Sequence, residues 1–455
     1  MTAEPIFQDS SSRKGMSSHL LRQVLNDEMH ARLPLPAQAP CMVSALIFPI
    51  RSGGEEVRIH AALAALAKQW QLPEPALEFV QYNATYGSLT MSCSRHTEFF
   101  RLTLSSNQAY SDFSATPLEV LPLDWLSSLP GNILVAVHLL LLPKLSSTPQ
   151  EISEYFFEGH QLIGAEIGKG NGLAFTDLRL HPDLHIQEGA SRFVVINQGL
   201  MGANQSGRMI QRLIEIEAYR MLALLALPIA KEQMRTLDSL GEQLRLLIAR
   251  VGQTEENDAE LMDALSALSI KAENMVGGSE YRFAASQAYH LVVERRVSEL
   301  RENRLLGLGI QPFREFIDRR LEPAMETCRI VTRRQDRFMK RLQRASTLLR
   351  TRIEVTHERQ NQALLSSVNQ RAALQLRMQE TVESLSVVVL TYYLIALCAY
   401  VIKGVKYFFP AINVELFNAS LVIPVALFIW WSKEQLMHRF RQASAVKSTT
   451  PLDDL

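Results

Sequence analysis

Two long apolar stretches near the carboxyl end constrain this chain more than any other feature. Leu385–Ile402 contains eighteen residues without a charged side chain, and Leu416–Trp431 contains sixteen. As helices rising about 1.5 Å per residue, each would cross most of the roughly 30 Å hydrocarbon core of a bilayer. Because only Lys403–Glu415 separates the two stretches, the sequence predicts a transmembrane hairpin over residues 385–431.

Composition excludes a few classes of protein. The 455 residues include 47 acidic and 47 basic side chains, so no overall field attracts the chain to nucleic acid, which is not expected as a partner. The four cysteines form no C-x-x-C pair, which favours a reducing compartment over a disulfide framework or zinc ribbon. The polar amino-terminal residues contain no apolar signal-peptide core. We therefore expect the large amino-terminal part to be cytoplasmic.

Charge in the flanking segments predicts the orientation of the hairpin. Segments on the cytoplasmic side of membrane helices are enriched in lysine and arginine. The loop between the apolar stretches has two lysines and one glutamate, whereas two arginines precede the first stretch closely. The segment after the second stretch contains Lys433, Arg439, Arg441 and Lys447. Both termini are therefore expected in the cytoplasm, with residues 432–455 as a tail.

The amino-terminal half has the patterns of an α+β fold. Residues 1–16 are expected to be a disordered leader, and residues 17–206 a mixed α/β head domain with a mainly antiparallel sheet. Helical spacing is seen over Glu55–Gln69. The runs with strand-like alternation or continuous apolar character are Val43–Ile50, Leu77–Thr85, Ser88–Leu104, Asn132–Leu142 and Phe193–Asn197.

Helices are expected from residue 207 onward. A helical domain over residues 207–328 would contain separate helices at Asp258–Val276 and Tyr281–Leu306, with a glycine-containing turn between them. Gly207–Glu232 is very apolar, but its uncharged run is short and includes Pro228, which indicates a buried core helix. No proline or glycine occurs from Met325 to Glu383, so a long stalk helix is predicted over residues 329–384.

One stripe of this long helix repeats at steps of three and four residues. Its members are Ile353, His357, Gln360, Leu364, Ser367, Arg371, Leu374, Met378, Val382 and Leu385. Such a half-polar stripe fits either a coiled-coil seam or a face packed on the preceding helices. The first interpretation makes the protein a homo-oligomer, and both interpretations stay open from the sequence.

A basic band precedes the stripe. Arg329–Arg352 contains nine lysines and arginines against one acid. The candidates for binding an anion or a cytoplasmic protein partner are Arg333, Arg334, Arg337, Lys340, Arg341 and Arg344. Lipid headgroups are a poor fit, because Arg352 and Leu385 are about 50 Å apart along a helix and charges are screened within about 8 Å. The alternative is a solvated face neutralised by acids such as Glu255, Glu256, Asp258 and Glu260.

Few residues indicate chemistry. His96 and Glu98 would share a face in a strand, and Glu28 and His30 form a similar pair. These four residues are weak candidates for a metal site. A simple hydrogen-bonded pair is the alternative. The glycine-rich stretch Gly159–Gly172 lacks the serine or threonine of a phosphate-binding loop and predicts a flexible turn. No catalytic residue and no cofactor is predicted.

Several stretches together resemble a bacterial family of membrane-anchored proteins, domain of unknown function 3422. They are NDEMHAR (Asn26–Arg32), RHTEF (Arg95–Phe99), LPLDWL, TDLR (Thr176–Arg179), GRMIQRLIEIEAYRMLALLALPIA, YRFAASQAY (Tyr281–Tyr289), RRLEPAMETC (Arg319–Cys328) and the segment Gln360–Tyr393. Leu33 departs from the family pattern, which usually has proline after the arginine. The resemblance implies a multi-pass protein of the bacterial inner membrane and brings no established activity.

A looser, architectural likeness exists to the CorA-type magnesium channels. These also combine a soluble α/β head, a helical stalk and a two-span hairpin, but the loop KGVKYFFPAINVE has no Gly-Met-Asn signature. The first functional hypothesis is therefore a membrane-tethered oligomeric assembly or scaffold protein with a cytoplasmic head. A CorA-like divalent cation channel is the alternative. An enzyme using Glu28, His30, Arg32, His96 and Glu98 is the third hypothesis.

Overall fold

A computed structural model describes residues 19–50, 53–77, 79–253, 257–406 and 414–447. The chain divides into two compact units, residues 1–346 and residues 347–455. The finer boundaries expected at residues 206 and 328 stay predictions. The expected leader (1–16), Glu255 and Glu256 lie outside the described residues.

The first unit contains an eight-stranded sheet followed by helices. The strands are β1 (Cys41–Pro49), β2 (Gln81–Tyr86), β3 (Leu89–Arg95), β4 (Phe99–Ser106), β5 (Val135–Leu142), β6 (Ile163–Ile167), β7 (Gly172–His181) and β8 (Ala190–Asn197). The helices of this part are α1 (Arg22–His30), α2 (Gly53–Gln69), α3 (Leu123–Ser128) and α4 (Pro149–Phe156). The later helices are α5 (Ala203–Leu224), α6 (Ala226–Val251), α7 (Asp258–Glu299), α8 (Phe313–Arg320), α9 (Glu322–Lys406) and α10 (Val414–Lys447).

The sheet is mixed, with the strand order β2-β3-β4-β1-β5-β8-β7-β6. Strands β5 and β8 are parallel, and the other neighbouring strands are antiparallel. Strands β1 and β5 lie in the centre and are almost entirely apolar and buried. This burial on both faces explains their continuous apolar runs, which the sequence shows directly. The prediction of a mixed α/β head with a mainly antiparallel sheet is confirmed.

One face of the sheet is covered by two apolar clusters. The first includes Leu46 of β1, Leu63 of α2 and Phe100 of β4. The second includes Met42 of β1 and Phe157, which follows α4. Because side chains alternate along a strand, Ser44 lies on this same face between Met42 and Leu46. A polar site is therefore enclosed between two apolar clusters.

Two strands were not predicted. The stretch Gly159–Gly172, expected to be a flexible turn, contains β6, and only its end forms the tight turn to β7. Gly168, Lys169 and Gly170 have φ angles of 63°, 64° and 87° there, which explains the glycines. Gly164 lies within β6, where a Cβ atom would approach the Phe175 ring to 2.6 Å. The glycines thus serve strand packing as well as the turn.

The helical part also differs from expectation in two places. Helix α7 continues through Gly277 and Gly278, where the sequence suggested a turn. Each glycine costs a helix about 1 kcal/mol relative to alanine, and the buried stripe of α7, which includes Leu265 and Phe283, offsets that cost. The core helix expected over Gly207–Glu232 is buried as predicted, but it is divided, because α5 ends at Leu224 and α6 begins at Ala226.

Helix α9 is 85 residues long, which confirms the uninterrupted helix predicted from the missing prolines and glycines. Within the first unit its side chains Val331, Phe338 and Leu342 are buried.

The second unit contains the rest of α9 and helix α10. In the described residues one helix is long and apolar enough to cross a membrane, judged by length and composition, and its apolar window is not buried within the protein. The apolar part of α10, Asn418–Ser432, is shorter and contains Pro424. The large apolar side chains of both stretches are mostly exposed, Leu385 and Trp431 among them. A transmembrane hairpin is therefore not established by these observations.

Candidate functional site

A band of polar side chains crosses the sheet face between the two apolar clusters. We call it the polar band. Its members are Ser44, His138, Glu158, His160, Asp177, His181, Asp183 and Arg192. Buried polar groups in a sheet core are costly unless their hydrogen bonds are satisfied. The band therefore has to be explained group by group.

One end of the polar band resembles a catalytic triad. The Ser44 hydroxyl donates to Nδ1 of His138 over 2.8 Å, and Nε2 of His138 donates to Asp183 over 3.0 Å. Burial alone would raise the pKa of Asp183, but the hydrogen bonds from His138 and the His185 amide hold it below its ordinary value. Ser44 is only 1% exposed, on a central strand. A nucleophile must reach its substrate, so this triad holds β1, β5 and the β7–β8 loop together instead.

The other end of the band is built by an irregularity in β7. In a regular strand, residues i and i+4 are about 13 Å apart. The pairing of β7 with β8 shifts register between Thr176 and Leu180, and Leu178 has a φ of 53°. The Thr176 hydroxyl accepts a hydrogen bond from the Leu178 amide, which fixes this bulge. As a result Nε2 of His181 lies 2.9 Å from the carboxylate of Asp177.

Two further side chains complete this end. Nδ1 of His160, in the loop after α4, lies 2.8 Å from Oδ2 of Asp177. Nδ1 of His181 lies 3.2 Å from Glu158. Burial alone would lower the pKa of His181, but Asp177 and Glu158 outweigh it and raise that pKa. The bulge itself gives no signal in the sequence.

The predicted pair His96 and Glu98 does not share a face. These residues form the turn between β3 and β4, so the strand geometry assumed for them is wrong. The His96 ring stacks on Phe99 at 4.1 Å. Glu98 instead accepts hydrogen bonds from Arg282 and Tyr289 of α7. Antiparallel hairpins reverse the chain between the two positions, which separates the side chains.

Glu98 lies beside a cavity of about 450 Å³. Its Oε2 atom accepts from Arg282 over 3.1 Å, and its Oε1 atom has no hydrogen-bond partner in the part of the chain that the structure describes. Burial alone would raise the pKa of Glu98, but Tyr281, Tyr289 and Arg282 lower it overall. The carboxylate is therefore ionised at neutral pH and ties the sheet to α7.

The other candidates of the amino-terminal motif lie close to the same turn. Glu28 forms an ion pair with Arg32, and Arg32 donates to the Arg95 carbonyl. The side chain of His30 is outside the described part of the chain. No described contact joins Glu28 to His96 or Glu98, and Arg32 is the residue that connects the two motifs.

A buried ion-pair network adjoins this turn. Glu215 of α5 pairs with Arg101 of β4 and Arg296 of α7, and Arg296 also contacts Glu299. The amide of Gln211 donates to Glu215 over 2.7 Å. Buried charges are tolerated only when paired and hydrogen-bonded, and these contacts satisfy that condition. These contacts leave no spacing signal in the sequence, because their residues come from three distant elements.

His96 provides a pH-dependent prediction. Burial, followed by the charges of Arg101 and Arg32, lowers its pKa to about 3. Between pH 6.5 and 3 the unfolded chain binds a proton at His96 that the folded chain does not. Stability therefore falls as the pH falls, by up to about 1.4 kcal/mol per unit from this residue. We expect His96→Gln to reduce the loss of thermal stability between pH 7.5 and pH 5.

The control for this measurement is Met42→Ala, which removes packing from the second apolar cluster and leaves His96 and its contacts in place. It should lower the unfolding temperature at both pH values without changing the difference between them. An unchanged pH dependence in His96→Gln would contradict the assignment.

The basic band of α9 is partly neutralised within the first unit. Arg333 pairs with Glu326, and Arg334 pairs with Asp238 of α6. Arg334, Arg337 and Arg341 line a cavity of about 440 Å³ between α6 and α9. The guanidinium groups of Arg337 and Arg344 each donate to a carbonyl of their own helix, those of Arg333 and Lys340 respectively. The band thus combines paired and solvent-facing cations.

A second group of metal-capable side chains lies between α7 and α9. Nε2 of His290 is 3.1 Å from Glu322 and 3.9 Å from Glu294. Both carboxylates are more than two-fifths exposed, whereas His290 is buried. This group adjoins a cavity of about 560 Å³ lined by Met325 and Cys328.

A family model described as Protein of unknown function (DUF3422) matches residues 17–442. The match covers nearly the whole chain, and its description names neither an activity nor a membrane role. No curated protein and no solved structure matches the chain. The comparisons therefore add no support to the likeness to CorA-type channels.

Proposed function

The chain belongs to the DUF3422 family, and from that premise we propose that it is an integral membrane protein that acts as a membrane-tethered, oligomeric assembly or scaffold protein. In this proposal the amino-terminal unit is cytoplasmic and binds its partners there. The hairpin over residues 385–431 holds the protein at the membrane.

The observation that carries the proposal is the apolar end of α9. Its residues 385–402 contain no charge, and the large side chains Val388, Leu390, Leu397 and Tyr400 are more than half exposed. Soluble proteins rarely expose continuous apolar surface of this extent. A helix closes its own backbone hydrogen bonds and can enter hydrocarbon directly. Insertion into the lipid bilayer removes this apolar surface from water.

The second half of the hairpin is supported by α10. Its apolar part ends at Trp430 and Trp431, where aromatic residues favour the membrane interface. The stretch 416–431 is short for a span, and tilting or local thinning of the bilayer accommodates such a length at modest cost. A proline such as Pro424 has no N–H to donate to the carbonyl four residues earlier. It is tolerated within a membrane helix when that carbonyl finds another donor.

The oligomeric part of the proposal rests on the stripe of α9 that precedes the membrane segment. Leu364, Leu374, Met378 and Val382 are each more than half exposed. Leu364, Arg371, Met378 and Leu385 follow one another at intervals of seven residues, the period of a coiled-coil seam. Leaving these side chains in water would be unfavourable. A second copy of the same helix covers them.

Disulfide cross-linking tests the seam. In membranes from cells that express the Cys398→Ser chain, we expect Met378→Cys to form a cross-linked dimer under mild oxidation. Met378 lies on the stripe. Two copies that pair along it therefore bring the Cα atoms of residue 378 to within the roughly 4.4–6.8 Å that a disulfide requires. The measurement is the fraction of dimer on a non-reducing gel.

The matched control is Glu380→Cys in the same background. Glu380 follows Met378 by two residues and lies on the opposite side of the helix. It should give at least tenfold less dimer. Equal cross-linking at both positions, or none at Met378→Cys, would contradict self-association through the stripe.

A further inference from the structure

We propose that His160, Asp177 and His181 bind a divalent transition-metal ion, and that Glu158 orients His181 for this role. Two imidazoles and one carboxylate form the donor set. Zinc is commonly bound by such nitrogen and oxygen ligands, and three protein ligands leave one position open. The proposal is independent of membrane attachment.

The distances fit a site of this kind. A tetrahedral zinc ion with ligands at about 2.0–2.1 Å separates its ligand atoms by roughly 3.4 Å. Asp177 lies 2.8 Å from Nδ1 of His160 and 2.9 Å from Nε2 of His181. One ligand atom from each of the three residues lies within 4.8 Å of the others. Small side-chain shifts would therefore place all three around one ion.

The hydrogen bonds of His181 give a second, independent reason. Both of its ring nitrogens face carboxylates, Nδ1 towards Glu158 and Nε2 towards Asp177. When Glu158 accepts the Nδ1 proton, the lone pair of Nε2 can bind a metal ion, and the Asp177 carboxylate can bind the same ion. An outer carboxylate on the distal nitrogen is typical of metal-bound histidines.

Burial and access are also suitable. The side chain of Asp177 is fully buried and that of His181 is 2% exposed, whereas that of His160 is 32% exposed. The ring of Phe157 contacts His181 edge-on at 6.2 Å between centroids and provides an apolar wall. The ion would thus be shielded on one side and open to solvent beside His160, where a water or substrate atom takes the fourth position.

Charge does not oppose the ion. Among the described ion pairs of Glu158, Asp177, His160 and His181, the arginine is Arg192, which lies 3.7 Å from Glu158. Asp177 and Glu158 together contribute two negative charges against that one when His181 is neutral, the form in which it binds a metal ion.

The bulge at Leu178 brings the ligands together at the cost of a left-handed backbone conformation in a residue with a side chain. Such strain is characteristic of functional sites.

Metal binding by the full-length protein tests the proposal. The chain is purified in detergent, treated with a chelator and dialysed against Zn²⁺ alone, and bound zinc is measured by mass spectrometry. We expect one tightly bound ion per chain. His181→Gln should abolish binding, and Glu158→Gln should weaken it by about 10–100-fold, the usual effect of losing an outer partner.

Two variants keep the result interpretable. His160→Gln changes the most exposed ligand, so it should fold normally in the absence of metal and still lose at least tenfold in zinc affinity. His290→Gln alters the second metal-capable group and should bind zinc like the parent. No stoichiometric uptake by the parent, unchanged affinity in His160→Gln, or loss of the ion in His290→Gln would each overturn the proposal.

Discussion

A chain that ends at Glu383 is expected to leave the membrane fraction completely. The full-length protein should remain with membranes after washing with alkaline carbonate, whereas the shortened chain should appear in the supernatant. Apolar side chains at the centre of a membrane helix contribute about 0.3–0.6 kcal/mol each to insertion. Removing residues 384–455 removes both apolar stretches, so no comparable driving force is left.

A chain ending at Ser432 is the matched control, because it lacks the basic tail and keeps both stretches. It should stay in the carbonate pellet. If the chain ending at Glu383 also pellets after carbonate, the membrane segment is not where we place it.

Accessible cysteines at the two boundaries then distinguish a hairpin from a single span. Ser384→Cys and Ser432→Cys flank the apolar stretches. In a hairpin both react with a membrane-impermeant maleimide from the cytoplasmic side. If the two cysteines are instead labelled from opposite sides of the membrane, the chain crosses the bilayer once, and the hairpin is wrong.

Replacing Glu215 by glutamine is expected to destabilise the first unit by about 3–5 kcal/mol, the usual cost of breaking a buried ion pair from one side. The change removes the carboxylate that pairs with Arg101 and leaves Arg296 with Glu299 alone. Arg101 is only one-tenth exposed in its side chain, so water cannot replace the lost partner. The measurement is the midpoint of thermal unfolding of the full-length protein, which should fall by several degrees.

Glu242→Gln is the control for this substitution. Glu242 pairs with Arg245 on the surface of α6, with both side chains more than half exposed, so no measurable change is expected. The double variant Glu215→Met, Arg101→Met tests the cause, because it also removes the charge of Arg101 that Glu215 neutralises. It should recover part of the lost stability. A double variant less stable than Glu215→Gln would show that packing, and not the unpaired charge, is responsible.

Much of the fold could be predicted because its signals are local. The 85-residue helix α9 follows from a run without proline or glycine. Strands β1 and β5 follow from apolar runs of strand length. In contrast, β6 was missed because it lies within the glycine-rich stretch Gly159–Gly172, and β7 was missed because its bulge interrupts the strand pattern. Gly277 and Gly278 indicated a turn, but packing on neighbouring helices overrode this local preference.

The polar contacts could not be predicted for a different reason. Ser44 and His138 are 94 residues apart and meet only because β1 and β5 pair in a particular register. Asp177 and His181 meet only because β7 contains a bulge. Sequence spacing describes neither register nor bulges. A histidine or serine that interrupts an otherwise apolar strand is the one sign that such residues leave.

The strand order has a consequence for synthesis on the ribosome. Strand β5 ends at Leu142, and its parallel neighbour β8 ends at Asn197, 55 residues later. At roughly 5–20 residues per second, translation needs about 3–10 seconds to produce the missing strand. During that interval one edge of VAVHLLLL is unpaired, and an open apolar edge readily recruits other chains. We therefore expect the nascent protein to be prone to aggregation until its sheet is complete.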